Sequence, residues 1–303
     1  MNTHIPVFNL RRRHLLLGAA GFLCLARARA QNVGQGAAKV YSLGIHPVVS
    51  PQRVVYSYQP LTEYLNHHPQ TQNAQLRIET SRSLDLYRAD LEAARFAFTI
   101  INPYDIPLAL RAGYRLFARF GDEKGYGGIL LTRKDSGIEQ VADLRGKTIC
   151  YSNATALAAT MLNQYFLWQH GLDIVRDVKH VYLNSLESVY LQVMQGKAAA
   201  GGSLLFGWNF FSKRVPEAVD ALEIKWQTPP LPGFGIMARG DIPEELIAQL
   251  RETLLSMHQT PDGQNVLETI GLPRFSPATH ETYAEVEHFI REFREHIGNP
   301  GEI

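Results

Sequence analysis

The sequence predicts an α/β protein of two lobes, each a mostly parallel sheet flanked by helices, with two hinge crossings between them. Two observations carry this expectation. Short apolar strands alternate with amphipathic helices from Lys39 onward, the rhythm of βαβ units, whose strands pair in parallel. That rhythm breaks twice, at the polar stretch Arg133-Lys134-Asp135-Ser136-Gly137 and at Thr228-Pro229-Pro230-Leu231-Pro232-Gly233, and a full second set of strands and helices lies between the breaks. The expected division is 37–132 with 234–303 in the first lobe and 133–233 in the second. At 303 residues, 45% of them hydrophobic, the chain is long enough to bury a core in each.

Residues 1–30 read as a separate object. Arg11-Arg12-Arg13 precede, across His14, an apolar run from Leu15 to Leu25, and Ala28-Arg29-Ala30 offers a small-x-small cleavage site. The run is too short to span a bilayer. Paired arginines ahead of leucines resemble a twin-arginine export signal, which is read as an address. Leu23 before Cys24 stands where a lipidated cysteine needs a small neighbour. The expectation is an exported, unanchored periplasmic protein, cleaved near Ala30. That segment carries five arginines and no acid, so a net charge of +1 becomes −4 without it, which excludes the basic footprint of a nucleic-acid binder. Cys150 is then the one remaining cysteine, and no internal disulfide can form.

In order, Lys39 to Ile45 is a strand, and 52–65 a helix whose apolar residues Val54, Tyr58, Leu61 and Leu65 fall on one face. Leu76 to Thr80 is the next strand, and Ser81-Arg82-Ser83 caps the helix after it. Arg95 to Ile101 is a strand closed by Asn102-Pro103-Tyr104, followed by strands at 114–120 and 127–132. The second set runs through strand Val178 to Leu183, helix Leu186 to Gln195, strand Ala198 to Ser203, a helix near Trp208 and strand Leu222 to Trp226. A last strand, Phe234 to Ala238, precedes helices at 243–257, 262–270 and 281–296, which have Pro-rich breaks between them.

The stretch from Gly146 to Gly171 opens the second set as strand, polar turn and amphipathic helix. Such a turn aims unpaired backbone N–H groups and the positive end of a helix dipole at one point, which favours an anion or strong acceptor. Ligands of open α/β sheets bind beyond the carboxyl ends of strands. The candidate contacts are therefore Ser81, Asn102 and Tyr104 in the first lobe, Tyr126 beside a crossing, and Ser152, Asn153, Thr155, Ala156, Glu187 and Ser203 in the second. Helix capping is an equal claim on Ser152, Asn153 and Thr155 and the stronger one on Ser81. Glu187 could face a cationic group or simply suit the helix dipole. Phe206, Trp208, Phe210 and Phe211 read mainly as core, and Cys150 as a buried, inert thiol.

Enzyme signals do not assemble. Gly146-Lys147-Thr148 lacks the first glycine of a P-loop, Val141 standing in its place, and Gly201-Gly202-Ser203-Leu204-Leu205 lacks the last glycine of a nucleophile elbow. The histidines show no zinc spacing.

Several stretches carry a family likeness: Gln59-Pro60-Leu61-Thr62-Glu63-Tyr64-Leu65, Asn102-Pro103-Tyr104, Leu131 to Ile138, Asp143-Leu144-Arg145-Gly146-Lys147, Val193-Met194-Gln195-Gly196 and Thr228 to Pro232. In this order, from about Lys39 to Met257, the chain resembles periplasmic substrate-binding proteins of the phosphonate/phosphite type, with the type II, transferrin-like binding fold. The resemblance implies a monomer that closes by hinge motion on a small anionic or polar ligand. It also implies an ABC transporter permease or a membrane sensor as partner, and no cofactor. An enzyme on the same fold is the alternative. In that family the phosphonate sits at the helix start, in a Ser-Thr-Ser-Gly type sequence. The matching positions here are Ala156, Leu157, Ala158 and Ala159, so the likeness implies a backbone cradle without its hydroxyls.

Overall fold

In the computed structural model two sheets organise the chain, and each includes a strand that arrives from the other lobe. The structure describes residues 1, 38–47, 51–71, 73–121 and 126–303. The expected export signal lies outside the described residues. The chain divides into a unit of Met1–Lys39, described at residues 1, 38 and 39, and a unit of Val40–Ile303, to which both sheets belong.

The strands are β1 (Lys39–Ile45), β2 (Ala74–Thr80), β3 (Phe98–Ile101), β4 (Tyr114–Phe120), β5 (Gly128–Arg133), β6 (Thr148–Tyr151), β7 (Lys179–Tyr182), β8 (Ala200–Leu204), β9 (Leu222–Gln227), β10 (Gly235–Arg239) and β11 (Phe275–Pro277). The helices are α1 (Pro51–His67), α2 (Leu84–Glu92), α3 (Ile106–Arg111), α4 (Asn163–Gln169) and α5 (Leu186–Met194). They continue as α6 (Leu205–Ser212), α7 (Pro216–Ala221), α8 (Glu244–Ser256), α9 (Pro261–Ile270) and α10 (Ala284–His296). The first sheet has the order β11-β4-β10-β3-β1-β2 and the second β7-β6-β8-β5-β9.

Both sheets are mixed. β1 pairs in parallel with β3, and β6 with both β7 and β8, as βαβ units require. β10, however, lies antiparallel between β3 and β4, and β5 antiparallel between β8 and β9. The reason is geometric. Strands of the βαβ units run toward the junction of the lobes, whereas a strand arriving from the other lobe must start there and run away. β11 adds a further antiparallel edge against β4. β5, paired with β8 and β9, belongs wholly to the second sheet.

Local sequence accounts for most element ends. Ser83 caps α2 by accepting the Leu86 N–H, and Thr260 caps α9 by accepting that of Gly263. Gly271, with φ of 72°, ends α9 in the left-handed conformation that glycine adopts at little cost. The first core packs Leu43, Phe98 and Ile236 of the sheet against Leu61 of α1 and Leu250 of α8. In the second lobe separate cores form around Ile129 and Val189 and around Ile149 and Leu167. A fourth cluster joins the lobes, bringing Ile101 and Met237 together with Leu157, Met161 and Phe293 of α10. No helix among the described residues is long and apolar enough to cross a membrane.

Candidate functional site

The strand ends of both lobes converge on a cavity of about 220 Å³. From the first lobe it is lined by His46 after β1, Asn102 after β3, Phe120 at the end of β4, and Phe234 just before β10. Tyr58 of α1 and Tyr126 of the first crossing complete that wall. From the second lobe come Ser152 and Asn153 after β6, the helix start Ala156 to Ala159, and Leu186, Leu204 and Phe206. Gly271, Leu272 and Pro273, after α9, also line it. Among the described residues no Arg, Lys, Asp or Glu lines the cavity.

The helix start is unusual. A π-helical stretch, Leu157–Leu162, precedes α4, and its first hydrogen bonds run from the Thr160 and Met161 N–H groups to the Ala156 carbonyl. The amides of Leu157, Ala158 and Ala159 come before those bonds, and all three residues line the cavity. Asn163 explains the wide turn: its side-chain Nδ2 donates to the carbonyls of Ala158, Ala159 and Ser203 at 3.0–3.1 Å, and a group inserted into the ladder opens it. The helix also sits directly on the sheet. A Cβ on Gly128 would lie 2.5 Å from the Ala158 carbonyl oxygen, and one on Gly202 2.3 Å from that of Ala159. Without these two glycines the cradle could not seat where it does.

Beside the cavity a polar clasp ties the lobes together. Arg88 of α2 donates from Nε to Asp105 Oδ1 at 2.7 Å and from Nη2 to Thr155 Oγ1 at 2.8 Å. Asn102 Nδ2 donates to the Thr155 carbonyl at 2.9 Å. Asp105 is 2% exposed, and burial raises its pKa against the opposing pull of Arg88. His46, also 2% exposed, stands between clasp and cavity, with Nδ1 3.7 Å from Asp105 Oδ2 and neither atom otherwise partnered. Burial, then the nearby Arg88 charge, lowers the His46 pKa to about 3, so the ring is neutral at ordinary pH.

Of the residues singled out in the sequence, the structure brings Asn102, Tyr126, Ser152, Asn153 and Ala156 to the cavity. The others do not line it. Ser81 donates to Asp90 within the first lobe at 3.2 Å. Tyr104 packs outside, under the Arg88 guanidinium and hydrogen-bonded by Arg294. Thr155 is turned into the clasp. Glu187 is held by Arg53 of α1 across the lobes. Ser203 is fully buried against the Tyr190 hydroxyl at 2.6 Å. Cys150 is buried with Sγ 3.6 Å from two backbone carbonyls, and burial pushes its thiol up to about 12. The sequence reading missed His46, Tyr58, Phe120 and Phe234. His46 directly follows β1, so the strand-end rule applied to Asn102 and Ser152 also reaches it. Glu292, Glu295 and His296 of α10 have the geometry to hold a metal ion, outside the cavity lining.

A family model described as "ABC transporter, phosphonate, periplasmic substrate-binding protein" matches residues 43–283. The phosphonates-binding periplasmic protein of Escherichia coli (strain K12) is 22% identical over 155 residues, 50% of this chain, and the match spans 46%, about half, of that relative's length. Among solved structures, PhnD1 from Prochlorococcus marinus (MIT 9301) in complex with methylphosphonate superposes with a TM-score of 0.75 at 16% identity, over 85% of this chain and 99% of that one. A binding protein component of an ABC phosphonate transporter from Pseudomonas aeruginosa gives 0.74 at 16% identity, over 85% and 87%. These structural likenesses establish the fold.

Proposed function

Because the chain belongs to the family of phosphonate periplasmic substrate-binding proteins of ABC transporters, we propose that it is an exported binding protein that captures a small ligand between its lobes and delivers it to an ABC permease. The family is one of binding proteins, not enzymes. The observation that carries the reading is the cavity itself, walled by strand ends of both lobes, so that a ligand there gains contacts only when the lobes are together. Differential contact of this kind is what drives hinge closure. In this reading Asn102, Tyr126, Ser152, Asn153 and the Ala156 turn touch the ligand. The crossings that lead into β5 and from β9 to β10 act as hinges, the export signal is removed near Ala30, and the protein works as a monomer.

Small-angle scattering of protein stripped of ligand by partial unfolding and refolding, before and after adding an extract of small molecules from its native periplasm, tests the reading. Compaction with recovery of an unchanged small molecule is the expected result. No compaction, or chemical turnover of the added molecule, would overturn it.

A further inference from the structure

Among the described residues the walls of the cavity offer a phosphonate no charged partner. A phosphonate dianion removed from water needs compensating charge as well as hydrogen bonds. Among the described residues the lining contains no cation. Arg88, which borders the region, is bonded to Asp105 and Thr155, and His46 is held neutral by burial. The hydroxyls expected at the helix start are replaced by Ala156, Leu157, Ala158 and Ala159, whose side chains offer no donor. Most of what faces the cavity is aromatic and aliphatic, Phe120 and Phe234 with Tyr58 on one side, Phe206, Leu186 and Leu204 on the other, with Asn102 and Asn209 as uncharged polar groups among them.

Donors gather most densely at one pole of the cavity. The amides of Leu157, Ala158 and Ala159 precede the first bond of the helix, and Ser152 and Asn153 stand beside them. The buried His46 ring lines the same cavity, with its Nδ1 3.7 Å from Asp105 Oδ2 and without a hydrogen-bond partner. Size narrows the choice further. The cavity of about 220 Å³ is smaller than the roughly 300–1,000 Å³ of pockets for drug-sized molecules, yet larger than the apolar cavity of about 150 Å³ that accepts benzene.

Resting on the binding-protein reading, we infer that the ligand is a small organic molecule with an apolar, ring-sized body and one carboxylate head seated on the amides of Leu157 to Ala159, and that the site has lost affinity for phosphonates. A carboxylate carries a single charge and accepts two or three N–H bonds at a helix start. The aromatic walls take the body, and the buried His46 ring borders it.

Isothermal titration of the full mature chain with matched pairs tests this. Benzoate and cyclohexanecarboxylate are compared with phenylphosphonate and methylphosphonate, at a pH where the phosphonates are doubly charged. Benzoate or cyclohexanecarboxylate should bind at least about tenfold more tightly than phenylphosphonate, a difference of about 1.4 kcal/mol, and methylphosphonate should not register. Asn153→Asp, which sets a like charge beside the head, should weaken carboxylate binding by about tenfold or more. Two outcomes overturn the inference: a phosphonate binding as tightly as its matched carboxylate, or no binding by any ring-bodied carboxylate. Phosphonate binding with compaction would leave the binding-protein reading intact. Absence of compaction with every probe and with periplasmic extract would remove both.

Discussion

The turn from Ser152 to Ala156 has two contrasting neighbours. One is the cavity, lined among the described residues without a single charged side chain. The other is the clasp, where Arg88, Asp105, Asn102 and Thr155 are joined by hydrogen bonds of 2.7–2.9 Å. Among the described residues, charge stands next to the site and not in its lining. Charge in the clasp is satisfied by a fixed internal partner, so it holds lobe to lobe and is not offered to a ligand. The cavity is left to discriminate by shape, by apolar contact, by backbone amides and by uncharged polar side chains such as Asn102, Ser152 and Asn153.

The sharpest way to break this contrast is Arg88→Ala, which leaves Asp105 buried without its cation. Loss of one partner of a buried pair costs about 3–5 kcal/mol, to be read as a lower urea midpoint. The loss should shrink in acid as Asp105, whose pKa burial already raises, takes up a proton. If the clasp supplied charge to the ligand instead, ligand affinity would fall further than stability.

His46 tests the boundary between the two regions. Its folded pKa is lowered from 6.5 to about 3, so as pH drops below 6.5 the unfolded chain binds a proton that the folded protein refuses. Stability should therefore fall with pH through that window by up to about 1.4 kcal/mol per unit. Asp105 acts in the opposite sense: its raised pKa makes its contribution grow less favourable as pH rises above 3.8. His46→Phe keeps an aromatic ring against Tyr87 and Phe234 and removes one of the two opposing terms. Thermal melts of both proteins from neutral to acid pH should show wild type losing stability more steeply than the variant. Parallel curves would mean that the imidazole is solvated and charged.

Smaller effects come from outside the contrast. Arg53→Ala breaks the exposed pair with Glu187 and should cost less than about 1 kcal/mol in stability, with its influence on closure disappearing at high salt. Cys150→Ala should leave ligand affinity unchanged, and the native thiol should resist alkylation until the protein unfolds, because burial keeps it protonated.

Much of the fold is legible in the sequence, because periodicity and capping are local. Strand β1, helices α1 and α8 and the Ser83 cap are all evident from patterns a few residues long. Which sheet a strand joins is a long-range property. The run Ile129-Leu130-Leu131 is apolar whichever sheet it enters, and only its pairing with β8 and β9 places it in the second lobe. The site divides in the same way. Strand ends point to Asn102 and Ser152 without tertiary information, whereas Ser203 is captured by Tyr190, thirteen residues earlier, and Glu187 by Arg53 from the other lobe. The apolar character of the cavity comes from Phe120, Phe234 and Phe206, three rings distant in sequence that look like ordinary core until the lobes are assembled.

The central claim is that this scaffold holds a single-headed apolar molecule in place of a phosphonate. Mass spectrometry of the small molecules released on denaturing protein purified from its native periplasm tests it most directly. The expected result is a compact organic carboxylate, free of phosphorus, at near-stoichiometric amount; a phosphonate or phosphate ester released at that amount would contradict the account.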